Sequence, residues 1–482
     1  MIYRREDPRQ IRFSCPWEEV SDEELVLTID REVERLDLLE LHQQYSEAGA
    51  GYYDPAMLLK VWLFAYCDRT WHCRDVGQRV RYDVRYRYFV GSHCPDFRTL
   101  NRFRHDQVDL LSGYFEAVVT RCEELGLVDA SVVALDGTKL RANASGRKRR
   151  KPDELKAAIR RRLEHDVVSD ELPEKQAEVE VAETSASLES AKLASPIVST
   201  TDPEARLMKT GEGTIRLCYN AQVVVDRNQI IVAASVNSDA NDKSSFAPLI
   251  EQSQGNLDSA VGAILTDGGY DSGRNLKYAE AAGLDVYWPT AGVAEKGQFP
   301  QAMFVYDPES DRYRCPGGEW LTYRRTRQRN GVTIKTYHGE VKQCGGCRRK
   351  AECTRNKVRR LEVSETQGAR ARLQEKVSTP RGKQLLSLRK TMVEPVFGNL
   401  KFNLGFTRFN LRGLAKVKGE FLLLCLAHNL KKIAQHHATR CSRAVSWALV
   451  TLPAIVSWLR KTFREVGTSK ITKNYSRCRF VA

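Results

Sequence analysis

Apolar positions in the first 130 residues recur at helical spacing and are separated by short polar turns. One run, YDPAMLLKVWLFAYC, begins with Asp54 and Pro55, a pair typical of an N-cap followed by the first helical residue. The segment CPDFRTLN has the same kind of start before another periodic run. The pattern predicts an all-helical N-terminal domain.

This helical region is rich in arginine, and Arg98 and Arg102 lie in the last of its runs. Short arginine-bearing helices joined by tight turns are typical of helix-turn-helix-like DNA readers, so both side chains are candidate DNA contacts. A plain helical bundle whose arginines face solvent accounts for the same pattern equally well.

The pattern changes near residue 131, where β-branched apolar runs replace helical spacing. SVVALDGTKL and AVGAILTDGGYD predict buried strands that end in Asp-Gly, and YNAQVVVD and QIIVAASVN predict a β-hairpin. SSFAPLIEQS, with Asn241 and Asp242 as candidate caps, RNLKYAEAAG and RGKQLLSLRKTMVEPVFGNLKF predict helices, and DVYWPT predicts a strand. With two insertions set aside, this order predicts an α/β fold whose sheet mixes antiparallel and parallel pairs and is flanked by helices.

Two segments do not fit that alternation. Residues 146–205 are charged and poor in aromatics, which predicts a helical insertion or linker that packs weakly on the core. Residues 295–378 are polar, basic and contain cysteines. We therefore divide the chain into a helical N-terminal domain (1–128), a core in three parts (129–145, 206–294 and 379–435), the two insertions (146–205 and 295–378) and a basic helical tail (436–482).

The amino-acid composition indicates a class of binding partner and a cellular compartment. The 76 Lys and Arg exceed the 61 Asp and Glu, and the formal charge of +15 favours a polyanion, most simply nucleic acid, although an anionic membrane or a merely basic surface also fits. No segment reaches the roughly 18 apolar residues of a spanning helix, and the start MIYRREDPRQ lacks a signal peptide's apolar core. The 13 scattered cysteines indicate thiols in a reducing compartment, so we expect a cytoplasmic protein.

Three carboxylates are candidates for metal chemistry. Asp136 and Asp267 follow predicted buried strands, and ligands collect at the carboxyl edge of such sheets. A buried aspartate is costly unless it is paired or holds a cation, although Asp-Gly is also a common turn pair. Glu394 lies on a predicted helix that Pro395 should kink or end, with Lys401 two turns along the same face. Three carboxylates can hold two Mg²⁺ or Mn²⁺ ions about 4 Å apart, which makes a protein nucleophile unnecessary.

Four stretches resemble bacterial insertion-sequence transposases of the DDE class, in the branch with a Tyr-x₂-Arg-x₃-Glu-x₆-Lys signature. They are LDGTKLRANAS, STTDPEARLMKTGEGTIRLCYNAQVVVD, ILTDGGYDSGRNL and VEPVFGNLKFNLGFTRFNLRG. The N-terminal runs also resemble that group's N-terminal domain, so the resemblance covers most of residues 10–435. It implies a ribonuclease-H-like core that cuts double-stranded DNA at terminal inverted repeats and joins the 3′ ends to target DNA. It also implies a synaptic homodimer, since two ends must meet.

In that resemblance the catalytic, metal-binding triad falls on Asp136, Asp267 and Glu394, and the signature lysine on Lys401. Lys390 stands where the signature has arginine, which keeps a DNA-binding charge but loses the bidentate fork. Ser387 stands where it has tyrosine, which loses a phenol and a stacking ring. These departures affect the grip on phosphate and leave the metal ligands in place.

The second insertion carries its own candidate site. Cys315, Cys344, Cys347 and Cys353 form a C-x₂₈-C-x₂-C-x₅-C pattern that favours a structural Zn²⁺ in a zinc-ribbon-like module, with free redox-reactive thiols as the alternative. Between residues 312 and 360, 15 Lys and Arg face three Glu, and aromatic residues are interleaved with them. A DNA-contact module is favoured over a solvated basic surface. Its candidate contacts are Arg324, Arg325, Arg348 and Arg349.

The sequence therefore favours a DNA transposase associated with the bacterial nucleoid. Two other functions stay open: a structure-specific nuclease of the same fold that cuts without joining, and a catalytically idle relic that binds DNA as a repressor.

Overall fold

The computed structural model describes residues 16–20, 24–46, 53–146, 149–150, 154, 198–289 and 299–465. Within these ranges the chain is a mixed α/β protein, as predicted. None of the described helices combines the length and the apolar composition that crossing a membrane requires.

Helices make up the whole of the described N-terminal region, as the apolar spacing predicted. They are α1 (Pro16–Glu19), α2 (Glu24–Glu34), α3 (Leu39–Ser46), α4 (Pro55–Cys67), α5 (Cys73–Tyr82), α6 (Val84–Val90), α7 (Phe97–Asp106) and α8 (Leu111–Glu124). Both predicted helix starts are confirmed, because Asp54 accepts a hydrogen bond from the Ala56 N–H at 3.0 Å and Asp96 accepts one from the Thr99 N–H at 2.7 Å.

A six-stranded sheet forms the centre of the molecule. Its strands are β1 (Val132–Arg141), β4 (Arg206–Lys209), β5 (Ile215–Asp226), β6 (Ile231–Asn237), β7 (Ala263–Leu265) and β8 (Val286–Tyr287). The order is β4-β5-β1-β7-β8, and β6 also pairs with β5 to form the predicted hairpin. The β1–β5 pair is antiparallel, whereas β1–β7 and β7–β8 are parallel, so the predicted mixture of pairings is confirmed.

Helices cover this sheet and join it to the N-terminal region. They are α9 (Phe246–Gly255), α10 (Gly273–Ala281), α13 (Gln367–Ser378), α14 (Pro380–Gly398) with a π-helical turn at Asn399–Asn403, and α15 (Leu414–Glu465). The helix α15 contacts α2, α4, α8 and β6. Consequently the N-terminal helices and the sheet share one hydrophobic core.

The first predicted insertion is mostly outside the described residues. Where the sequence predicted a charged helix, Arg149 and Arg150 form the short strand β2 (Arg149–Arg150), which pairs with β3 (Val198–Ser199). Val198 and Ser199 are buried, so this end of the segment packs on the protein. The strand pairing makes this burial possible, because it gives the buried backbone groups hydrogen-bond partners.

The second insertion contains a separate antiparallel sheet of order β13-β12-β11-β10-β9. Its elements are β9 (Val305–Asp307), β10 (Arg312–Arg314), β11 (Trp320–Arg329), β12 (Val332–His338), α11 (Val341–Gly345), α12 (Lys350–Cys353) and β13 (Arg360–Ser364). Five buried residues form its core: Phe299, Phe304, Leu321, Tyr337 and Leu361. The following helix α13, which the sequence analysis grouped with this insertion, instead buries Ala369 and Leu373 in the main core.

Candidate functional site

Asp136 lies inside β1 and not at its end. The strand continues to Arg141 because the long partner β5 keeps pairing with it, and Asp136 stands opposite Val223. On the other edge, β7 pairs with β1 only from Val132 to Ala134. The predicted strand end is therefore wrong for β1, but Asp136 still stands just beyond the last parallel pair, at an open edge of the sheet.

Asp267 follows β7 by two residues, as predicted. Ala134 and Leu265 are the last paired residues of β1 and β7, so Asp136 and Asp267 occupy equivalent positions two residues further along neighbouring strands. Neighbouring strands lie about 4.8 Å apart. Burial raises the pKa of the Asp136 carboxyl, and the charge of Asp267 contributes to that rise. The structure thus brings together the two aspartates that the sequence singled out.

Arg389 is a site residue that the sequence analysis missed. Its Nη1 donates to Oδ2 of Asp136 at 2.7 Å, and the two side chains are only 16% and 21% exposed. The arginine opposes the rise in the pKa of Asp136. The helical period could have identified it, because Arg389 shares the inward face of α14 with Met392, Val393 and Val396, all of which are buried. The predicted phosphate contact next to it, Lys390, is exposed.

Lys401 also reaches the strand that carries Asp136. Its ammonium group donates to Oγ1 of Thr138, which lies two residues beyond Asp136 on the same face of β1. Burial lowers the pKa of Lys401, and the negative charges of Glu212 and Asp136 act against that shift. The structure therefore places a cation two residues along β1 from Asp136. Lys401 lies in the π-helical turn after α14, and its predicted position on the same face as Glu394 stays a prediction.

Glu394 is exposed on α14, between Arg389 and Lys401. Among the described residues it has no hydrogen-bond or ion-pair partner. Pro395 does not end α14, since the helix continues to Gly398 before the π-helical turn. The missing Pro395 N–H would have bonded the Thr391 carbonyl, and Nε2 of Gln229 donates to that carbonyl instead at 3.3 Å.

The fit of a divalent cation depends on the aspartate pair. Carboxylate oxygens are the ligands that Mg²⁺ prefers. Asp267 uses Oδ1 for the Gly269 N–H at 2.8 Å, so its second oxygen is the one suited to a cation, whereas a cation on Asp136 has to share it with Arg389. Within the described ranges, no three His, Cys, Asp or Glu side chains lie close enough to hold a metal ion as they stand.

Asp242 belongs to a network that supports the aspartate pair. The sequence predicted it as a helix cap, but its side chain makes no capping bond. It turns inward because it has stronger partners there: Oδ1 accepts from Lys139 Nζ at 2.9 Å, Asn220 Nδ2 at 2.8 Å and Gln222 Nε2 at 2.7 Å. The Tyr270 hydroxyl, three residues after Asp267, donates to Oε1 of the same Gln222. The network therefore links β1, β5 and the turn that holds Asp267.

Gly137 is needed for that network. A Cβ at residue 137 would collide with the Gln222 side-chain amide and would come within 3.1 Å of the Asp242 carboxylate. The glycine after Asp136 thus leaves room for a glutamine from β5.

The four cysteines of the second insertion converge, as their spacing predicted. Cys315, Cys344, Cys347 and Cys353 line one small cavity of about 30 Å³, and all four are free thiols. Burial raises the pKa of Cys353, and the three other cysteines contribute to that rise. Thiolates are the ligands that structural Zn²⁺ takes in tetrahedral sites. The donor set suits zinc, although the sulfurs would have to draw closer around it.

The predicted DNA-binding arginines lie on two surfaces. Arg98 and Arg102 are exposed on α7, and Arg324, Arg325 and Arg348 are exposed on the second insertion. Arg349 differs, because its guanidinium packs over the Phe299 ring at 4.4 Å and bonds the Pro316 carbonyl at 3.4 Å. Arg349 therefore holds the insertion together, and the other five are available to a ligand.

Two protein-family models match the chain, one in the N-terminal helices and one from the second insertion to α15. A family model described as "Transposase DDE domain" matches residues 314–434, which include all four clustered cysteines, Glu394 and Lys401. A model described as "Transposase domain (DUF772)" matches residues 17–106, the helices α1 to α7. Asp136 and Asp267 lie outside both segments, and no curated protein matches the chain. Both matches are to transposase domains, and together they support a DDE-class transposase of an insertion sequence.

Proposed function

We propose that this transposase cuts double-stranded DNA at the terminal inverted repeats of an insertion sequence and joins the freed 3′ ends to target DNA. Asp136, Asp267 and Glu394 would hold two Mg²⁺ or Mn²⁺ ions. The observation that carries the proposal is the matched position of Asp136 and Asp267 beyond the last β1–β7 pair. A structure-specific nuclease without joining activity and an inactive DNA-binding relic are the alternatives.

The side chains around this pair have distinct roles in the proposed reaction. The ions, when bound, supply activation of the attacking water or 3′-hydroxyl and stabilisation of the leaving oxygen. Asp136 and Asp267 would hold the ions in defined positions, because Arg389 fixes the carboxylate of Asp136 and the Gly269 N–H fixes that of Asp267. Lys401 places a positive charge two residues along β1, where it can bind a phosphate oxygen of the cut strand. Glu394, on the same helix as Arg389, would be the third carboxylate for the ions.

The arrangement of the sheet supports a ribonuclease-H-like core. The strands and helices follow the order strand, hairpin, helix, strand, helix, strand, helix once the insertions and the short strand β4 are set aside. The two aspartates lie on adjacent strands of the sheet, and Glu394 lies on the last helix of that order. This proposal also includes the division into a DNA-binding N-terminal domain and a catalytic core, and a homodimer that holds two DNA ends.

The test of the proposed function is an excision assay with a donor plasmid carrying the element between its own ends, a target plasmid and Mg²⁺. Wild-type protein is expected to release the element and join it to the target, and EDTA should abolish both products. Cut ends that are never joined would replace the transposase with the nuclease. Bound but uncut DNA would leave only the relic.

We further propose that the cysteine cluster holds one structural Zn²⁺ that stabilises the second insertion. Its core of five buried residues is small, and domains of this size usually need a metal or disulfides. The variant Cys344→Ser/Cys347→Ser is therefore expected to lose about one equivalent of zinc, measured by elemental analysis, and to expose the β9–β13 sheet to proteolysis.

A control for this variant is Cys94→Ser, because Cys94 is exposed and lies far from the cluster in the sequence. It should retain wild-type zinc content and proteolytic resistance. Equal zinc content in all three proteins would exclude the site and leave four free thiols as the better interpretation.

A further inference from the structure

A wide basic cleft lies between the N-terminal helices and the far end of β1. It has a volume of about 990 Å³ and is bounded by the start of α5, by α7 and by residues 405–412. Smaller hollows of about 740 and 510 Å³ share lining residues with it and extend it into a groove. Six cations and one carboxylate line the cleft: Arg74, Arg104, Arg141, Arg408, Arg412, Lys416 and Asp75.

The arginines of this cleft are held by neutral groups. Arg141 donates to Oγ1 of Thr407 at 3.0 Å, Arg408 donates to Oδ1 of Asn143 at 2.7 Å, and Arg412 donates to the Asn143 carbonyl at 2.9 Å. In the described part of the chain, no carboxylate forms an ion pair with any of these three. Their geometry is thus fixed while their positive charge stays available to an anion.

Backbone N–H groups at the start of α5 add to the positive electrostatic potential of the cleft. The ten-residue helix α5 begins in the cleft, and its N-cap residue, His72, makes no side-chain capping bond. The first N–H groups of an uncapped helix favour an anion such as phosphate. Arg104 adds a fixed positive charge to the lining, because its guanidinium donates to the Trp71 carbonyl at 2.7 Å and stacks on the Trp62 ring at 4.2 Å.

One wall of the cleft is rigid before any ligand binds. Glu420 is fully buried and accepts hydrogen bonds from the N–H groups of Asn410 and Leu411, both at 2.9 Å, and from the Tyr66 hydroxyl at 3.2 Å. Because Tyr66 lies on α4, this carboxylate fastens the 405–412 segment to the N-terminal helices. A preformed wall lowers the ordering cost of binding.

The distance from the aspartate pair suggests what enters the cleft. Arg141 follows Asp136 by five residues on the same extended strand, a separation of about 17 Å. DNA advances about 3.4 Å per nucleotide along each strand. Because the spacing is odd, the Arg141 side chain leaves β1 on the face opposite to Asp136. A strand whose scissile phosphate lies at Asp136 would therefore need at least about five nucleotides to reach Arg141.

We propose that this cleft binds the sugar-phosphate backbone of the reacting DNA, at least about five nucleotides from the cut. The inference rests on the proposed function for the identity of the reacting strand. Two sources have the same chemistry, the element's own end and the DNA flanking or receiving it, and they differ only in sequence.

The test compares two double variants of the full chain in EDTA, so that binding is measured without cleavage. Arg408→Ala/Lys416→Ala removes two cleft cations, and Lys418→Ala/Arg440→Ala removes two exposed cations from α15 outside the cleft. Fluorescence anisotropy with a duplex of the element's end and a duplex of unrelated sequence, over a salt series, gives the slope of log K against log [salt].

The cleft variant is expected to lower that slope by about 1.8, roughly 0.9 for each lost phosphate contact, whereas the α15 control keeps the wild-type slope. A loss on both duplexes assigns the cleft to flanking or target DNA, and a loss confined to the element's end assigns it to that end. A wild-type slope for the cleft variant, or an equal loss in the control, would overturn the proposal.

This outcome is separable from the proposed function. If wild-type protein does not cleave DNA but Arg408→Ala/Lys416→Ala lowers the salt slope, the transposase reaction is rejected and DNA binding in the cleft is retained. Normal excision with an unchanged slope in Arg408→Ala/Lys416→Ala would reject the cleft alone.

Discussion

Asp136→Asn and Asp267→Asn are each expected to reduce Mg²⁺-dependent DNA cleavage by roughly 10³-fold or more, with the protein still folded and bound to DNA. Each substitution removes one negative charge from the aspartates that follow the last β1–β7 pair while keeping the side-chain shape. Stabilisation of a phosphoryl-transfer transition state by a bound ion is worth several kcal/mol, which sets the size of the loss. Single-turnover cleavage of end-labelled DNA at saturating protein measures it.

A competing explanation for that loss is structural, because Asp136 is also the partner of Arg389. Arg389→Gln separates the two. If Asp136 acted only by holding Arg389, both substitutions would reduce cleavage equally. As a cation ligand, Asp136 should matter far more than Arg389. Cleavage by Asp136→Asn within about tenfold of wild type would contradict the proposed site.

Glu420→Ala is expected to lower the free energy of unfolding by about 3 kcal/mol or more, the largest stability effect that we predict. The carboxylate is fully buried and satisfies the N–H groups of Asn410 and Leu411 and the hydroxyl of Tyr66. Alanine would leave these buried donors without an acceptor, and each such group costs about 1–3 kcal/mol. Urea unfolding monitored by tryptophan fluorescence measures the change.

The matched control is Glu375→Ala on α13, because Glu375 is exposed. Its unfolding free energy should stay within about 0.5 kcal/mol of wild type. Glu420→Gln should fall between the two, since it keeps an acceptor oxygen but loses the charge. A Glu420→Ala midpoint equal to that of the control would show that the 405–412 segment does not depend on this carboxylate.

Local sequence patterns predicted the elements well and the site in part. Asp54 and Asp96 cap helices because capping depends on a few neighbouring residues. Asp267 was placed correctly by the end of a short apolar run, whereas Asp136 was not, because the extent of β1 is set by its pairing with β5, more than 80 residues away in the chain. The cysteine spacing likewise indicated the convergence that the structure has.

Features built by distant segments were not predictable from one sequence. Asp242 has the local signature of a helix cap, and its inward turn depends on Lys139, Asn220 and Gln222. The family signature pointed to Lys390, one residue from the arginine that contacts Asp136. The cleft joins residues near 71–75, 101–105, 141–143 and 405–416, and no run of the sequence contains its charge pattern.

Arg389 has a thermodynamic consequence for the order in which ligands bind. Its guanidinium is the counterion of Asp136 in the protein alone, so a divalent ion that binds there competes with a cation already in place. The cost of releasing Arg389 lowers the apparent affinity for the ion, and a DNA phosphate that accepts the released guanidinium repays that cost. Ion and DNA binding are therefore linked, and each tightens the other by the same factor. The Mg²⁺ concentration at half-saturation should fall when DNA is present, and this dependence should be weaker in Arg389→Gln.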